Sequence, residues 1–218
     1  MWRLCYLFTC SLFALFNFSS CTQDAYDKGE GTYSQMTAEM ADGYTSAAKQ
    51  VIRFTTDNDE TFNVTAPFTS ALMPKADTVY RAVFYYNKQG NEAQVMGLNR
   101  VLVANPRSFD DMKTDPVKLE SIWMARSRRY LNLSFYIMLG STDGEAAQQK
   151  IGCQRDTLIR HADGKNTLCL TLYHDQAGVP QYYSQRTYLS IPMETVSPDT
   201  VIVSVNTYDG PVVRTLTR

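Results

Sequence analysis

Histidine is almost missing from this chain of 218 residues, which has two, and cysteine is scarce, with five. Two of the cysteines, Cys5 and Cys10, fall in an apolar leader and a third, Cys21, closes it. The folded part therefore holds Cys153 and Cys169 alone, too few for a disulfide framework. An exported compartment permits a bridge between them. Cys169 alternates with Leu168, Leu170 and Leu172, on the face opposite those leucines, and both a bridge and two free thiols stay open. Paired metal-ligand spacings are absent, so no metal site is expected. No glycine loop built to cradle phosphate is present either, since Gly29-Glu30-Gly31 has neither a strand before it nor a helix after it. No cofactor is expected. The formal charge is −1 and becomes −2 once residues 1–20, which carry Arg3 and no acid, are removed. Without a basic excess there is no electrostatic footprint for nucleic acid.

Long apolar runs are lacking too. The longest, Leu4 to Phe16, follows the single charge of Arg3 and ends at Asn17, Ser19 and Ser20. A spanning helix needs about 20 apolar residues, so residues 1–20 read as a cleaved signal peptide. Phe18-Ser19-Ser20-Cys21 resembles a bacterial lipobox, in which a cysteine behind small residues is acylated and becomes the first residue of the mature chain. Phe18 stands where a leucine is usual. Several acyl chains on Cys21 would hold the protein to a bilayer, each buried CH₂ adding about 0.8 kcal/mol. Residues 21–31, polar and glycine-bearing, read as a flexible tether. The acidic residues after Cys21 fit a surface-export address and fit a plain linker equally. The expected location is the outer membrane, lipid-anchored, facing periplasm or exterior.

What is abundant is threonine, valine and tyrosine, the last numbering 14. These residues suit a pleated, half-buried surface, and the expected class is all-β. Strands are expected at Tyr33 to Met40, Ala48 to Thr55, Thr61 to Thr65, Asp77 to Lys88 and Ala93 to Val103. Asp57-Asn58-Asp59-Glu60 reads as a hairpin turn, because the glycine and glutamate of a calcium loop are missing. Both faces of the fourth strand are partly apolar, which favours a small closed five-stranded barrel over residues 32–105. Asn105-Pro106 ends that unit and residues 106–218 form the next. Thr114-Asp115-Pro116 has the form of a helix start, and Val117, Leu119, Ile122 and Trp123 give one short apolar-sided helix. Leu131, Leu133, Phe135, Ile137 and Leu139 then alternate cleanly. Further strands are expected at Gln148–Ile159, Asn166–His174, Gln181–Ile191, Thr200–Tyr208 and Val212–Leu216. Asp209-Gly210 carries the strongest hairpin signal, and Pro211 suggests an edge position for the last strand. Six antiparallel strands and one helix predict a β-sandwich.

Several strings, in this order and spacing, resemble the NigD-like lipoproteins over residues 21–218. They are Tyr26-Asp27-Lys28-Gly29-Glu30-Gly31, Tyr80-Arg81-Ala82, Lys113-Thr114-Asp115-Pro116, Tyr130-Leu131-Asn132-Leu133, Leu170-Thr171-Leu172-Tyr173-His174-Asp175, Tyr188-Leu189-Ser190-Ile191-Pro192 and Asn206-Thr207-Tyr208. The resemblance implies an N-terminal OB-type barrel followed by a C-terminal β-sandwich. It supplies no catalytic residues, and the bacteriocin locus behind the family's name says little of any one member.

Function is the thinnest part of the sequence. His161 sits in a turn. His174-Asp175 ends a strand, where an imidazole beside a carboxylate is the makings of a base, although the better expectation is that it caps the turn. Tyr173, Tyr182, Tyr183 and Tyr188 form a candidate binding surface for a protein, peptide or glycan. Cross-strand tyrosines equally serve to stabilise sheets. The expected role is a non-enzymatic binding or structural module of the cell envelope, the alternative being a hydrolase with a site near His174 and Asp175.

Overall fold

The computed structural model describes residues 36–141, 148–194 and 197–217, and among them every regular element is a strand. Cys21, the signal peptide and the tether lie outside the described residues, as does the start of the expected first strand. The five leading strands are β1 (Thr37–Thr45), β2 (Gln50–Thr56), β3 (Thr61–Thr69), β4 (Val79–Gln89) and β5 (Glu92–Arg100), and they close in the order β1-β2-β3-β5-β4. The closing pair is short, Asn63 opposite Glu92 and Val64 opposite Ala93. Alternation drives Ala82, Phe84 and Tyr86 of β4 inward, where they meet Phe54 and Phe62. Phe54 stacks on Phe84 at 4.4 Å and meets Tyr86 edge-on at 4.9 Å, arrangements worth about 0.5–1.5 kcal/mol each beyond area burial. Gly43 makes room for this core, since a Cβ there would lie 2.6 Å from the Phe84 ring.

The other face of β4 is apolar for a second reason. Val83 and Tyr85 point out of the barrel and, with Met40 and Val101, pack on Trp123 and Tyr188 of the following unit. That unit comprises β6 (Leu102–Val103), β7 (Lys118–Met124), β8 (Tyr130–Leu139), β9 (Lys150–Arg160), β10 (Asn166–Asp175), β11 (Tyr183–Pro192), β12 (Thr200–Thr207) and β13 (Gly210–Thr217). They form two four-stranded sheets, β13-β12-β10-β9 and β6-β11-β8-β7. Leu131, Leu133 and Phe135 of one sheet face Leu168, Leu170, Val201 and Val203 of the other, all fully or almost fully buried. The expected hairpin is present but closes over Tyr208-Asp209, one residue ahead of the expected Asp209-Gly210 turn, with Gly210 opening β13 at φ 108°, and β13 takes the edge position that Pro211 suggests.

Three expectations need correction. The apolar side of residues 117–123 is not a helix but the strand β7: the register slips between Leu119 and Ser121, so Glu120 is an extra, bulged residue. The bulge stretches the spacing of core residues to 117, 119, 122 and 124 and so imitates a helical period. Nor are all pairings antiparallel, because β10 runs parallel to β12 and β6 parallel to β11. The expected strand Ala93 to Val103 divides at Val101, with β5 in the barrel and β6 joined to β11.

Residues 104–117 lie along the second unit, bonded to it through the main chain. Ala104 donates to Ser190 O, Arg107 to Cys153 O, Asp115 to His174 O and Val117 to Asn206 O. Phe109 lies flat on Tyr173, ring centroids 4.0 Å apart, above Gly152, where a Cβ would approach the ring to 2.8 Å.

Candidate functional site

The four tyrosines do not share one surface. Tyr173 is buried under Phe109 in the β10 sheet, and Tyr188, in the opposite sheet, packs into the apolar seam against the barrel. Tyr182 and Tyr183 are a different matter, 72% and 58% exposed at the start of β11. Tyr182 is nevertheless fixed in place: its N–H donates to Leu139 O at 2.9 Å. Gly140 allows the close approach, since a Cβ there would come within 2.7 Å of Pro180 O and 2.9 Å of the Tyr182 ring.

His174 is 1% exposed. Its Nδ1 lies 2.9 Å from Asp115 O and its Nε2 3.0 Å from Gln149 Oε1. Beside it the Asp115 carboxylate accepts the N–H of Gln176 at 2.7 Å, and the Asp175 carboxylate accepts that of Ala177 at 2.9 Å. Gln176 in turn donates its amide to Met138 O and Val179 O. An open cleft of about 380 Å³ borders this cluster, lined by Lys113, Asp115, Asp175, Gln176 and Gln181. With both ring nitrogens engaged by the protein itself, His174 presents no free nitrogen to a substrate in that cleft. His161 bonds Thr167 across its own turn.

A second polar cluster lies between the barrel and the sandwich, and sequence reasoning passed over it. Arg81 of β4, 8% exposed, sends Nη2 to both carboxylate oxygens of Asp57 at 2.6 and 2.7 Å. Its Nε donates to Ser190 Oγ at 3.1 Å, Nη1 faces Asp42 at 3.4 Å, and the guanidinium lies 4.0 Å from the Tyr130 ring centre. Asn132 donates to Asp57 and accepts from Ser190, both at 2.7 Å, while Arg129 reaches Asp42 at 2.7 Å. Burial raises the Asp57 carboxyl above its ordinary value, against the pull of Arg81 and Asn132. Burial and the charge of Asp42 push the Tyr130 phenol up to about 12.

The cysteines stay apart. Both are free: Cys153 stands opposite Leu172, and Cys169 opposite Thr157. Burial pushes the Cys153 thiol up to about 12, so it behaves as a core residue.

The strings that carried the family resemblance meet in these two clusters. Arg81, Asn132 and Ser190 come together at the junction. Asp115, His174 and Asn206 come together where residues 113–117 cross the sandwich, Asn206 donating to Thr114 O at 2.7 Å.

The family model for the NigD-like C-terminal β-sandwich domain matches residues 99–217. Among solved structures, the chain is similar to a NigD-like immunity protein from Bacteroides caccae, with TM-score 0.61 and 21% identity over 82% of this chain and 91% of that one. It is similar also to a toxin-related protein from Parabacteroides distasonis, with TM-score 0.60 and 18% identity over 84% and 93%. A protein of unknown function from Bacteroides vulgatus gives TM-score 0.60 and 17% identity over 84% and 90%. At these identities the likeness speaks for the fold. No curated protein matches the chain.

Proposed function

The chain belongs to the NigD-like family, and from that premise we propose that it is an envelope lipoprotein, anchored through Cys21, that binds a protein, peptide or glycan without transforming it. The observation that carries the reading is the pair Tyr182 and Tyr183, two large amphipathic side chains held out to solvent by a fixed strand start. Tyrosine offers contact area at low entropic cost, and exposed aromatics of this kind are frequent anchors of binding surfaces. The engagement of both His174 nitrogens supports the non-enzymatic side of the reading over a hydrolase at His174 and Asp175. The name of the Bacteroides caccae neighbour, an immunity protein, suggests an exported protein or peptide as the partner to try first.

Two measurements test it. A fatty-acid probe is expected to label the wild type and to miss Cys21→Ala; equal labelling of both overturns the anchor. Capture of a partner from envelope extracts is expected to fall at least tenfold in Tyr182→Ala/Tyr183→Ala at unchanged melting temperature. Capture that survives this change but is lost in Asp175→Asn moves the site to the His174 cleft.

A further inference from the structure

We propose that the cleft at the end of β10 is a subsite for an arginine side chain of the protein or peptide that Tyr182 and Tyr183 engage, an assignment that rests on the tyrosine reading and gives the partner its chemistry. The cleft, about 380 Å³, is lined by Lys113, Asp115, Asp175, Gln176 and Gln181. Asp115 and Asp175 each use one carboxylate oxygen to accept a main-chain N–H, that of Gln176 at 2.7 Å and that of Ala177 at 2.9 Å. These bonds fix both carboxylates and leave the second oxygen of each without a hydrogen bond from another described residue. The one cation among the described residues lining the cleft, Lys113, is bonded instead to Asp111 at 2.9 Å. Neither Asp115 nor Asp175 belongs to an ion pair among the described residues.

Gln176, 8% exposed, points independently to a donor in the same cleft. Its Nε2 donates to Met138 O at 3.0 Å and to Val179 O at 2.9 Å, which fixes the amide, since the reversed amide would set Oε1 against two carbonyl oxygens. Oε1 is therefore an acceptor, buried and without a partner. A buried acceptor left unpaired is destabilising, and a donor entering the cleft relieves it. Acceptor oxygens on Asp115, Asp175 and Gln176 match a guanidinium, which carries five N–H donors in a planar fork, has no acceptor and keeps its charge. A metal ion fits less well, because no three His, Cys, Asp or Glu side chains among the described residues are grouped to hold one. Cleft and tyrosines are continuous. Gln181 lines the cleft and Tyr182 follows it in the chain, while Gln176 and Tyr182 are tied to consecutive carbonyls at the end of β8, Met138 and Leu139. An aromatic pair beside carboxylates suits arginine over lysine, since a guanidinium stacks on rings as well as forking to carboxylates.

Proton–nitrogen NMR of the mature chain, titrated with acetyl-arginine amide, tests the cleft by itself. The expected result is a saturable shift of the Gln176 side-chain amide and of the Gln176 and Ala177 backbone amides, absent with the uncharged isostere acetyl-citrulline amide and weaker with acetyl-lysine amide. Asp115→Asn and Asp175→Asn keep an oxygen for the main-chain N–H and remove the charge, and each should weaken arginine binding about tenfold. Equal shifts with citrulline, arginine binding unchanged in both variants, or the same shifts from calcium chloride at lower concentration overturn the proposal and leave the tyrosine reading untouched. Capture of the partner from envelope extracts then joins the two. Loss both in Tyr182→Ala/Tyr183→Ala and in Asp115→Asn/Asp175→Asn is expected. Capture lost in the tyrosine variant but kept in the carboxylate variant overturns the subsite alone, whereas the reverse pattern sinks the tyrosine reading with the cleft still the arginine site.

Discussion

Asp57 shows how far the role of one residue can lie from its sequence context. Its neighbours spell a polar turn, and the turn is there, with Asp59 N–H bonded to Thr56 O and Asp59 at positive φ. The carboxylate itself does something no local pattern announces. It is clamped by Arg81, 24 positions on, and by Asn132, 75 positions on. Turn chemistry is local and legible; a buried ion cluster assembled from β1, β4, β8 and β11 is not. Burial leaves Asp57 with a raised carboxyl even so. In the folded chain it therefore holds its proton to higher pH than in the unfolded one, and its contribution to stability is lost as pH rises through the folded value. Glu120 works the other way: the Arg186 and Ser134 bonds lower its carboxyl, so its contribution is lost as pH falls. Asparagine keeps the shape of the neutral carboxyl at every pH, so urea midpoints of wild type and Asp57→Asn are expected to lie closest at about pH 4 and to separate towards about pH 7, the wild type losing ground to the variant. A gap that closes as pH rises contradicts the assignment.

Elements were readable where their period was unbroken. The β8 alternation, the Asp-Gly hairpin and the five strands of the barrel follow from spacing and turn residues that act over a few positions. The strand β7 did not, because a single bulged residue turned a period of two into an apparent helical one, and Asp115-Pro116 ahead of it carried a genuine helix-start chemistry. In the structure Asp115 spends its carboxylate on the Gln176 N–H instead. The candidate surface was legible only in half: exposure separates Tyr182 and Tyr183 from Tyr173 and Tyr188, and that depends on what lies across from each, Phe109 in one case and the barrel in the other. The bulge makes its own prediction. Deleting Glu120 should heal the strand without moving Leu119 or Ile122 to the other face, since the pairs on both sides of the slip already point the same way. The chain should then fold, losing the exposed Glu120–Arg186 pair, worth about 0–1 kcal/mol. Loss of the folded state on deletion, seen as an abolished melting transition, would show that the extra residue is needed for the strand to pass.

At the scale of the whole molecule, barrel and sandwich each own an apolar core, and what joins them is of another kind. The seam combines a small apolar cluster, Met40, Val83 and Val101 against Trp123 and Tyr188, with the Arg81 network. Taking ions out of water is expensive, and such networks are weak evidence for stability in themselves. Their geometry is demanding, however. Arg81 reaches Asp57, Ser190 and Asn132 together only when barrel and sandwich meet at one angle, whereas the apolar contacts alone tolerate sliding. Arg81→Ala leaves Asp57 buried beside Asn132 without its counter-ion, a change that typically costs about 3–5 kcal/mol. The loss should fall on the seam, because Arg81 is a member of neither core cluster. Calorimetry is thus expected to show one cooperative transition in the wild type, as two units coupled through a closed seam require, and two in Arg81→Ala. Reverting the charges together, in Arg81→Met/Asp57→Leu, should recover much of the lost stability but not the single transition, since apolar isosteres restore burial and not the angle. One sharp transition in that double variant would assign the coupling to the apolar cluster and leave the ions a passive part of the interface.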